Sequence, residues 1–264
     1  MDIANKRVLI TGGSSGIGLA LARALGKLGA RVLLAARQEE GLRTAKSLLA
    51  GEGVDVATVA ADVTRTRGRA VMLEVARLKL GGIDILINSA GAVRGGRLDA
   101  IEVDEILTMV DVNLLSPILL TREVLPHLRD SGDALVVNIS SGMGLVGMPF
   151  YSVYAAVKAG IGKFGDALRR ELDGEGIRVL NVFPVATDTP MMSTSAASVP
   201  LEDASDVADA VCRAIASDEL QVVRGGDARA QMITLDRSDP AALDKVFLAR
   251  KPEMERAVAN HRAL

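Results

Sequence analysis

The amino-acid sequence predicts an α/β domain of three layers, in which a doubly wound, mostly or fully parallel sheet has helices on both faces. Short aliphatic and β-branched runs alternate along the chain with longer segments of helical period. These runs are apolar on both faces, as expected of strands that helices cover on either side. At 264 residues the chain is long enough for one sizeable core, and no second domain is required.

Six apolar runs are predicted as strands. They are VLIT at 8–11, VLLAA at 32–36, VATVAA at 56–61, IDILIN at 83–88, ALVVNIS at 134–140 and IRVLNVF at 177–183. The segments between them, such as 17–28 and 38–50, are long enough for crossover helices, which makes the strands parallel. Ligands of such sheets bind outside the carboxyl ends of the strands, so the loops after each run are the predicted site.

Composition excludes several classes of partner. Hydrophobic residues make up 49% of the chain, charged residues 24%, and the formal net charge is -2, which favours neither disorder nor nucleic-acid binding. The single Cys212 cannot form an internal disulfide, and the start MDIANKRVLITGG lacks a signal-peptide pattern, so a cytoplasmic location is expected. His127 and His261 have no partners at metal-ligand spacing, which predicts no metal site.

An uncharged stretch from 134 to 157 is long enough to cross a membrane. Asn138, Ser140, Ser141 and Pro149 interrupt it, together with three glycines. It is therefore predicted to be a buried strand, a loop and the start of a helix, with no membrane partner.

The first strand runs into a glycine-rich turn, TGGSSGIG at 11–18, and then into a helix. Glycine allows a sharp turn and a close approach of the backbone to a pyrophosphate, which the N–H groups at the start of the helix can bind. The alternative is a tight strand-to-helix connection without a ligand. Its position directly after the first strand favours dinucleotide binding.

Tyr154 and Lys158 are four residues apart, so both lie on one side of a helix. An ammonium about 4 Å from a phenol favours the phenolate by about 4 kcal/mol at an effective dielectric near 20, or roughly three pKa units. Tyr154 is therefore predicted to work as an acid or base near pH 7. Ser141 is predicted to hydrogen-bond the reacting oxygen. The alternative is an amphipathic helix on which Tyr and Lys mark the core edge and solvent.

Cofactor choice depends on the end of the second strand, where Ala36 is followed by Arg37. A carboxylate there would bind ribose hydroxyls, whereas an arginine favours a ribose phosphate. NADP(H) is therefore the predicted cofactor and NAD(H) the alternative. Arg37 as a solvated residue at the start of a helix is the structural alternative.

Together these motifs resemble those of the short-chain dehydrogenase/reductase family. In order, TGGSSGIG is similar to TGxxxGxG, NSAG at 88–91 to NNAG, NISS ends at Ser141, YAAVK at 154–158 matches YxxxK, and PVATDTPM at 184–191 is similar to PGxxxTPM. Val185 and Ser89 depart from the family pattern. The resemblance spans about residues 6–191 and implies a Rossmann fold with seven strands.

The resemblance implies two sets of site residues. The catalytic set is Asn113, Ser141, Tyr154 and Lys158, with Asn113 holding a water that relays protons towards Lys158. The cofactor-binding set is Gly12, Ser14, Ser15, Gly16, Ile17, Gly18, Arg37, Asp62, Val63, Asn88, Ala90, Gly91, Tyr154, Lys158, Pro184 and Thr189. Asp62 and Val63 would contact adenine and Thr189 the nicotinamide carboxamide. An Asp62 that caps the next helix is the alternative.

The chain is expected to form one domain, 1–264, in three parts. Residues 1–185 would bind the cofactor and carry catalysis, 186–225 would form a substrate lid and the last strand, and 226–264 a helical tail. A solvated terminal helix is the default interpretation of the tail, with a cover over the site or an assembly contact as alternatives.

Three segments are expected to form the substrate wall: 93–98, 142–150 and 191–199. Their methionines, at 143, 148, 191 and 192, indicate an adaptable apolar pocket, with plain core packing as the alternative. Small residues on the helix of Tyr154 allow close helix packing. Because family members pair through this helix, a homo-oligomer is expected, a dimer first and a tetramer as the alternative.

The function that these features predict is transfer of a hydride between NADP(H) and a carbonyl compound or secondary alcohol, and the substrate is predicted to be apolar. An NAD-dependent alcohol dehydrogenase is the alternative among enzymes. A dinucleotide-binding sensor without turnover is the alternative outside enzymes.

Overall fold

A computed structural model describes residues 1–196 and 199–264, and most of its strands lie in one parallel sheet. Within those ranges the strands are β1 (Arg7–Thr11), β2 (Arg31–Ala36), β3 (Val56–Ala60), β4 (Ile85–Asn88), β5 (Val93–Arg94), β6 (Ala134–Ile139), β7 (Ile177–Phe183), β8 (Gln221–Val223) and β9 (Arg262–Ala263). Seven of them are ordered β3-β2-β1-β4-β6-β7-β8, and every pair is parallel. The chain moves outward from β1 to β3, returns to β4 on the other side of β1, and so creates a crevice between these two strands.

Helices cover both faces of this sheet. They are α1 (Gly16–Lys27), α2 (Glu39–Gly51), α3 (Thr66–Leu80), α4 (Val103–Val110), α5 (Ser116–Ser131), α6 (Ser152–Glu171), α7 (Ala204–Ala216), α8 (Gly226–Ser238) and α9 (Pro240–Val258). Alternate strand residues point to opposite layers: Ile10 packs with α1, α2 and α7, whereas Leu9 packs with α3, α5 and α6. The predicted three-layer, doubly wound fold is confirmed.

The uncharged stretch from 134 to 157 forms β6, a short 3-10 turn at Gly142–Gly144 and the first residues of α6. The prediction of a strand, a loop and a helix start is therefore confirmed. Among the helices of the described residues, each is too short or too polar to span a bilayer.

The C-terminal tail differs from the default expectation of a solvated helix. After α8 and α9, β9 pairs antiparallel with β5, which places Val93 opposite Ala263 and Arg94 opposite Arg262. Val258 and His261 are buried there. The tail is thus packed on the carboxyl end of the sheet, because its apolar side chains find a surface there.

Candidate active site

The carboxyl ends of the central strands open into a cavity of about 760 Å³. Ligand-binding pockets commonly measure roughly 300–1,000 Å³. Its walls come from the loops that follow β1, β2, β3, β4, β6 and β7, and from the tail. The cavity therefore lies where the sequence analysis placed the site.

The glycine turn after β1 brings backbone atoms unusually close together. A Cβ atom built on Gly12 would lie 2.8 Å from the Cα of Ala90, and one on Gly18 would lie 2.5 Å from the carbonyl oxygen of Gly12. Gly12 and Gly16 have φ angles of 67° and 52°. Side chains at these positions would clash or strain the backbone, so the turn needs glycine.

The start of α1 is open to an anion. Ser15 precedes the helix, and its side chain makes no capping hydrogen bond, so the first N–H groups of α1 are not satisfied by that side chain. Ser14, Ser15, Gly16 and Ile17 line the cavity at this point. The uncapped helix start and the glycine turn together fit the pyrophosphate of a dinucleotide.

Thr11 connects this turn to β4, a contact that the sequence analysis missed. Its hydroxyl accepts hydrogen bonds from the N–H groups of Ser89 and Ala90, both at 3.1 Å, and donates to the carbonyl of Ile87 at 3.4 Å. The sequence places Thr11 at the end of a strand and at the start of the glycine-rich motif, and it predicts none of these contacts. Its partners lie 76 to 79 residues away, so local sequence gives no signal for them.

Asn88, assigned to cofactor binding, lies beneath the cavity and does not line it. Its amide nitrogen donates to the hydroxyl of Thr121 at 3.2 Å and to the side-chain oxygen of Asn138 at 3.0 Å. Asn88 therefore holds β4 against β6 and α5 from inside the core.

The expected adenosine end contains Arg37, Asp62 and Val63, and all three line the cavity. Arg37 is exposed, and its Nη2 donates to the main-chain oxygen of Leu264 at 3.2 Å. Asp62 accepts hydrogen bonds from the N–H and hydroxyl of Thr64, so its side chain also shapes the loop before α3.

Helix α6 places Tyr154 and Lys158 on one side, at exposures of only 8% and 4%. The Nζ of Lys158 donates to the carbonyl of Ile139 at 3.0 Å and lies 5.7 Å from the centre of the Tyr154 ring. The hydroxyl of Ser140 donates to the carbonyl of Lys158 at 2.6 Å. These two hydrogen bonds hold the middle of α6 against the end of β6.

Ser141 follows β6 and begins the 3-10 turn. Its Oγ accepts a hydrogen bond from the N–H of Met143 at 3.1 Å, and a hydrogen bond with Ser141 lowers the pKa of Tyr154. A Cβ atom on Gly144 would lie 2.7 Å from the carbonyl of Lys158, so this turn packs directly on α6. The structure thus brings Ser141, Tyr154 and Lys158 together.

Burial dominates the titration of the two α6 side chains. It raises the pKa of Tyr154 to about 12, against the opposing effect of Ser141, and lowers the pKa of Lys158 to about 8. The prediction that Lys158 lowers the pKa of Tyr154 is wrong for the groups of the chain itself, because burial raises that pKa. Desolvation disfavours both charged forms, which leaves Tyr154 protonated at pH 7 and able to donate.

Asn113 lies in a π-helical segment, Asp111–Leu115, between α4 and α5. Its amide nitrogen donates to the carbonyls of Ala92 and Met109, both at 2.8 Å, and its oxygen accepts from the N–H of Ala92 at 3.3 Å. It is buried behind the cavity wall and does not line the cavity. A Cβ on Gly91 would lie 3.4 Å from its Oδ1 and 3.9 Å from the Nζ of Lys158, so Asn113 and Lys158 both approach Gly91.

Pro184 and Thr189 line the cavity beyond β7. The carbonyl of Pro184 accepts from the N–H of Gly142 at 2.8 Å. Val185 stands where the family pattern has glycine, and a Cβ on Gly225 would lie 2.8 Å from its Cγ1. Gly225 therefore provides the space that the larger side chain of Val185 occupies.

His261 connects the tail to the cavity wall and was missed as a site residue. Its Nδ1 lies 2.6 Å from the hydroxyl of Tyr151, and its Nε2 lies 3.0 Å from the carbonyl of Met191. A carbonyl only accepts, so Nε2 carries the hydrogen and the hydroxyl of Tyr151 donates to Nδ1. Burial lowers the pKa of His261 and raises that of Tyr151 to about 12. In the sequence, only the position of its partner Tyr151, three residues before Tyr154, could have linked His261 to the site.

The expected substrate wall is largely apolar. Its lining residues include Val93, Gly142, Met143, Met148, Met191, Met192 and Val199. Of the predicted segment 191–199, Ala197 and Ser198 lie outside the described residues. Helix α9 adds Val246, Phe247, Met254, Ala257 and Val258 from the tail.

In the part of the chain that the structure describes, no three His, Cys, Asp or Glu side chains are grouped so that they could hold a metal ion.

The fold and cleft define the class of protein, a doubly wound α/β protein with a site for a dinucleotide beside a buried tyrosine and lysine. The family model described as short chain dehydrogenase matches residues 6–199. The chain therefore belongs to the short-chain dehydrogenase/reductase family, whose members are NAD(P)-dependent oxidoreductases.

Individual proteins are similar over most of the chain. Ketoacyl reductase HetN of Nostoc sp. is 31% identical over 255 residues, which are 93% of this chain and 89% of that protein. An uncharacterized oxidoreductase of Staphylococcus aureus is 32% identical over 217 residues, which are 81% of this chain and 92% of that protein.

Solved structures agree in fold. A variant of actinorhodin polyketide ketoreductase with NADPH has a TM-score of 0.77 at 30% identity, over 84% of this chain and 96% of that chain. The 3-ketoacyl-(acyl-carrier-protein) reductase from Brucella melitensis, complexed with NADH, has a TM-score of 0.74 at 28% identity, with the same coverage of 84% and 96%.

Proposed function

We propose that the protein is an NADP(H)-dependent reductase of carbonyl compounds, in which Tyr154 is the proton donor. The observation that carries this proposal is a group of three side chains, the half-buried Ser141 and the buried Tyr154 and Lys158, which shares one cavity with the glycine turn and Arg37. The ketoreductase names of several relatives favour reduction over oxidation as the working direction.

A reduced dinucleotide held by the glycine turn at Gly12 and Gly16 would supply the hydride, with its two electrons, that the carbonyl carbon of the substrate accepts. The carbonyl π electrons move onto the oxygen, and Ser141 donates a hydrogen bond that stabilises the developing charge. Tyr154 gives its proton to this oxygen, which completes the alcohol. A pKa of about 12 keeps this proton on Tyr154 until negative charge appears on the substrate.

Lys158 then stabilises the phenolate left on Tyr154. With a pKa of about 8 it is mostly protonated at neutral pH and can also return a proton. Asn113, across Gly91 from Lys158, holds the main chain at Ala92 and is proposed to keep a proton-relaying water in place.

The preference for NADP(H) is proposed from Arg37. The cavity wall at the end of β2 is formed by Ala36, Arg37 and Gln38, without a carboxylate that would repel a ribose phosphate. Arg37 is exposed, and among the described residues its guanidinium has one hydrogen bond, to a main-chain oxygen, so it can turn towards a phosphate. NAD(H) is the alternative, since the similar solved structures include one with NADPH and one with NADH.

The remaining proposals concern organisation. Within one domain, residues 1–185 bind the cofactor and carry catalysis, 186–225 form the lid and last strand, and 226–264 form the tail.

We propose a cytoplasmic protein, in keeping with its single cysteine, and a homodimer through α5 and α6. Exposed Leu115 and Val103 near these helices are apolar positions that a second copy could cover.

Tyr154→Phe tests the function directly. It removes the proton donor and keeps the ring, so we expect NADPH binding to remain and reduction of a panel of ketones and aldehydes to be lost. The measurements are calorimetry for binding and the absorbance of the reduced nicotinamide for turnover. If the variant keeps the wild-type rate, or if the wild type reduces no compound of the panel, the proposal is wrong, and the latter result favours a sensor.

A further inference from the structure

Four cationic side chains line the cavity among the described residues: Arg37, Lys158, Arg229 and Arg250. Three of them have a defined partner. Lys158 donates to Ile139 at 3.0 Å, Arg37 to the main chain of Leu264 at 3.2 Å, and Arg250 pairs with Glu253 at 3.1 Å.

Arg229, in the first turn of α8, differs from the other three. The one hydrogen bond described for its guanidinium runs to the carbonyl of Gly142, at a long 3.4 Å. No carboxylate of the described residues forms an ion pair with it, and desolvation lowers its pKa without an opposing acidic neighbour. A half-buried guanidinium without a counter-ion is costly, and an anionic ligand would offset that cost.

Two glycines fix the position of this side chain. A Cβ atom on Gly142 would lie 3.0 Å from the Cζ of Arg229, and one on Gly225 would lie 3.0 Å from its Cβ. A side chain at position 142 would crowd the guanidinium, and one at position 225 would crowd the base of the Arg229 side chain. The two glycines thus leave room for the Arg229 side chain beside the loop that contains Ser141.

We propose that Arg229 binds a carboxylate of the substrate, so that the protein reduces oxo acids with an apolar body. This inference rests on the proposed carbonyl reduction and names its substrate class. The apolar body would contact Met232, Phe247 and Met254, which line the same cavity. A single guanidinium balances one carboxylate charge, whereas a phosphate would bring up to two charges into a half-buried site with one free cation among the described residues.

The position of Arg229 also limits the spacing within the substrate. Gly142 directly follows Ser141, and consecutive Cα atoms are about 3.8 Å apart. The carboxylate therefore lies a few bonds from the carbonyl that Ser141 contacts, and oxo acids with a distant carboxylate are expected to bind less well.

The test compares oxo acids with their methyl esters, using NADPH and steady-state kinetics on wild type, Arg229→Gln and Arg229→Lys. A charge-assisted hydrogen bond contributes roughly 1.5–3 kcal/mol when buried, and the half-exposed site points to the lower end, about tenfold in KM. We expect the wild type to have a KM about tenfold lower for the acid than for the ester. Arg229→Gln should remove this preference and Arg229→Lys should keep part of it.

Arg237→Gln is the matched control, because it removes the same charge from an exposed position on the same helix. It should leave the preference for the acid unchanged. Equal KM values of acid and ester in the wild type would overturn the proposal. If Arg229→Gln raises the KM of NADPH with every substrate, Arg229 serves the cofactor and the proposal is overturned. A preference for an oxoalkyl phosphate over the acid would also overturn it.

Calorimetry separates this inference from the proposed function. Oxo acids are titrated into protein saturated with oxidised dinucleotide, which permits binding without turnover. If no carbonyl compound is reduced, the proposed function fails, yet binding of the acid that Arg229→Gln weakens about tenfold would still support the carboxylate site. Binding that is absent, or equal in both proteins, would overturn it.

Discussion

Replacing Lys158 with methionine is expected to stabilise the folded protein at neutral pH while abolishing carbonyl reduction. Lys158 is 4% exposed, and burial lowers the pKa of its ammonium from 10.5 to about 8. A shift of about 2.5 pKa units corresponds to about 3 kcal/mol, the cost of keeping the charged form in the folded state. Methionine fills a similar volume without that charge.

The hydrogen bond to the carbonyl of Ile139 opposes this gain. Its loss costs about 1 kcal/mol, so the net increase in the free energy of unfolding at pH 7 is about 2 kcal/mol. The increase has a defined pH dependence. Between pH 8 and 10.5 the unfolded wild type holds a proton that the folded wild type has released, so wild-type stability rises with pH. The advantage of Lys158→Met is therefore full below pH 8 and disappears as pH rises through this window.

Urea unfolding followed by circular dichroism, at pH 6.5 to 9.5 and one protein concentration, measures both features. Lys163→Met is the matched control on the same helix, since the side chain of Lys163 is 85% exposed. Its effect should stay within about 0.5 kcal/mol. A Lys158→Met variant that is less stable than wild type at pH 7, or whose advantage does not change with pH, would refute the argument from burial.

Three further predictions concern the cavity walls. Arg37→Ala should raise the KM of NADPH about tenfold and leave that of NADH nearly unchanged, and an equal effect on both would contradict the proposed preference. Gly18→Ala should greatly weaken dinucleotide binding in calorimetry, since its Cβ would lie 2.5 Å from a carbonyl oxygen, whereas Gly51→Ala, with open space around it, should not. His261→Ala should lower the free energy of unfolding by about 2 kcal/mol and speed trypsin cleavage within 226–264, because one buried and one partly buried hydrogen bond are lost. Unchanged cleavage would show that His261 does not hold the tail.

The strands and the placement of the reacting groups could be predicted because both depend on local pattern. The six apolar runs fall within one or two residues of β1, β2, β3, β4, β6 and β7. Tyr154 and Lys158 share one side of α6 because the helical period alone puts them there. The place of the glycine turn could also be predicted, because a turn after the first strand of such a sheet lies at the crevice.

The roles of other residues depend on distant partners. Asn88 and Asn113 were assigned to the site from a resemblance, and the structure places both behind the cavity, bonded to the core and to Ala92. His261 had no predicted role because its partner Tyr151 is 110 residues away in the chain. Arg229 gave no signal because its significance comes from two glycines at 142 and 225.

By itself the sequence determined the layered fold, the crevice and the helix that carries Tyr154, since periodicity and glycine chemistry act over a few residues. Only the tertiary structure decided how those groups titrate and what encloses them. The pKa of Tyr154 rises instead of falling because the packing of α6 and the tail buries its side chain, and desolvation is the largest cause of the rise. The tail lines the cavity for the same reason, because its buried residues Val258 and His261 pack against residues far from them in the chain.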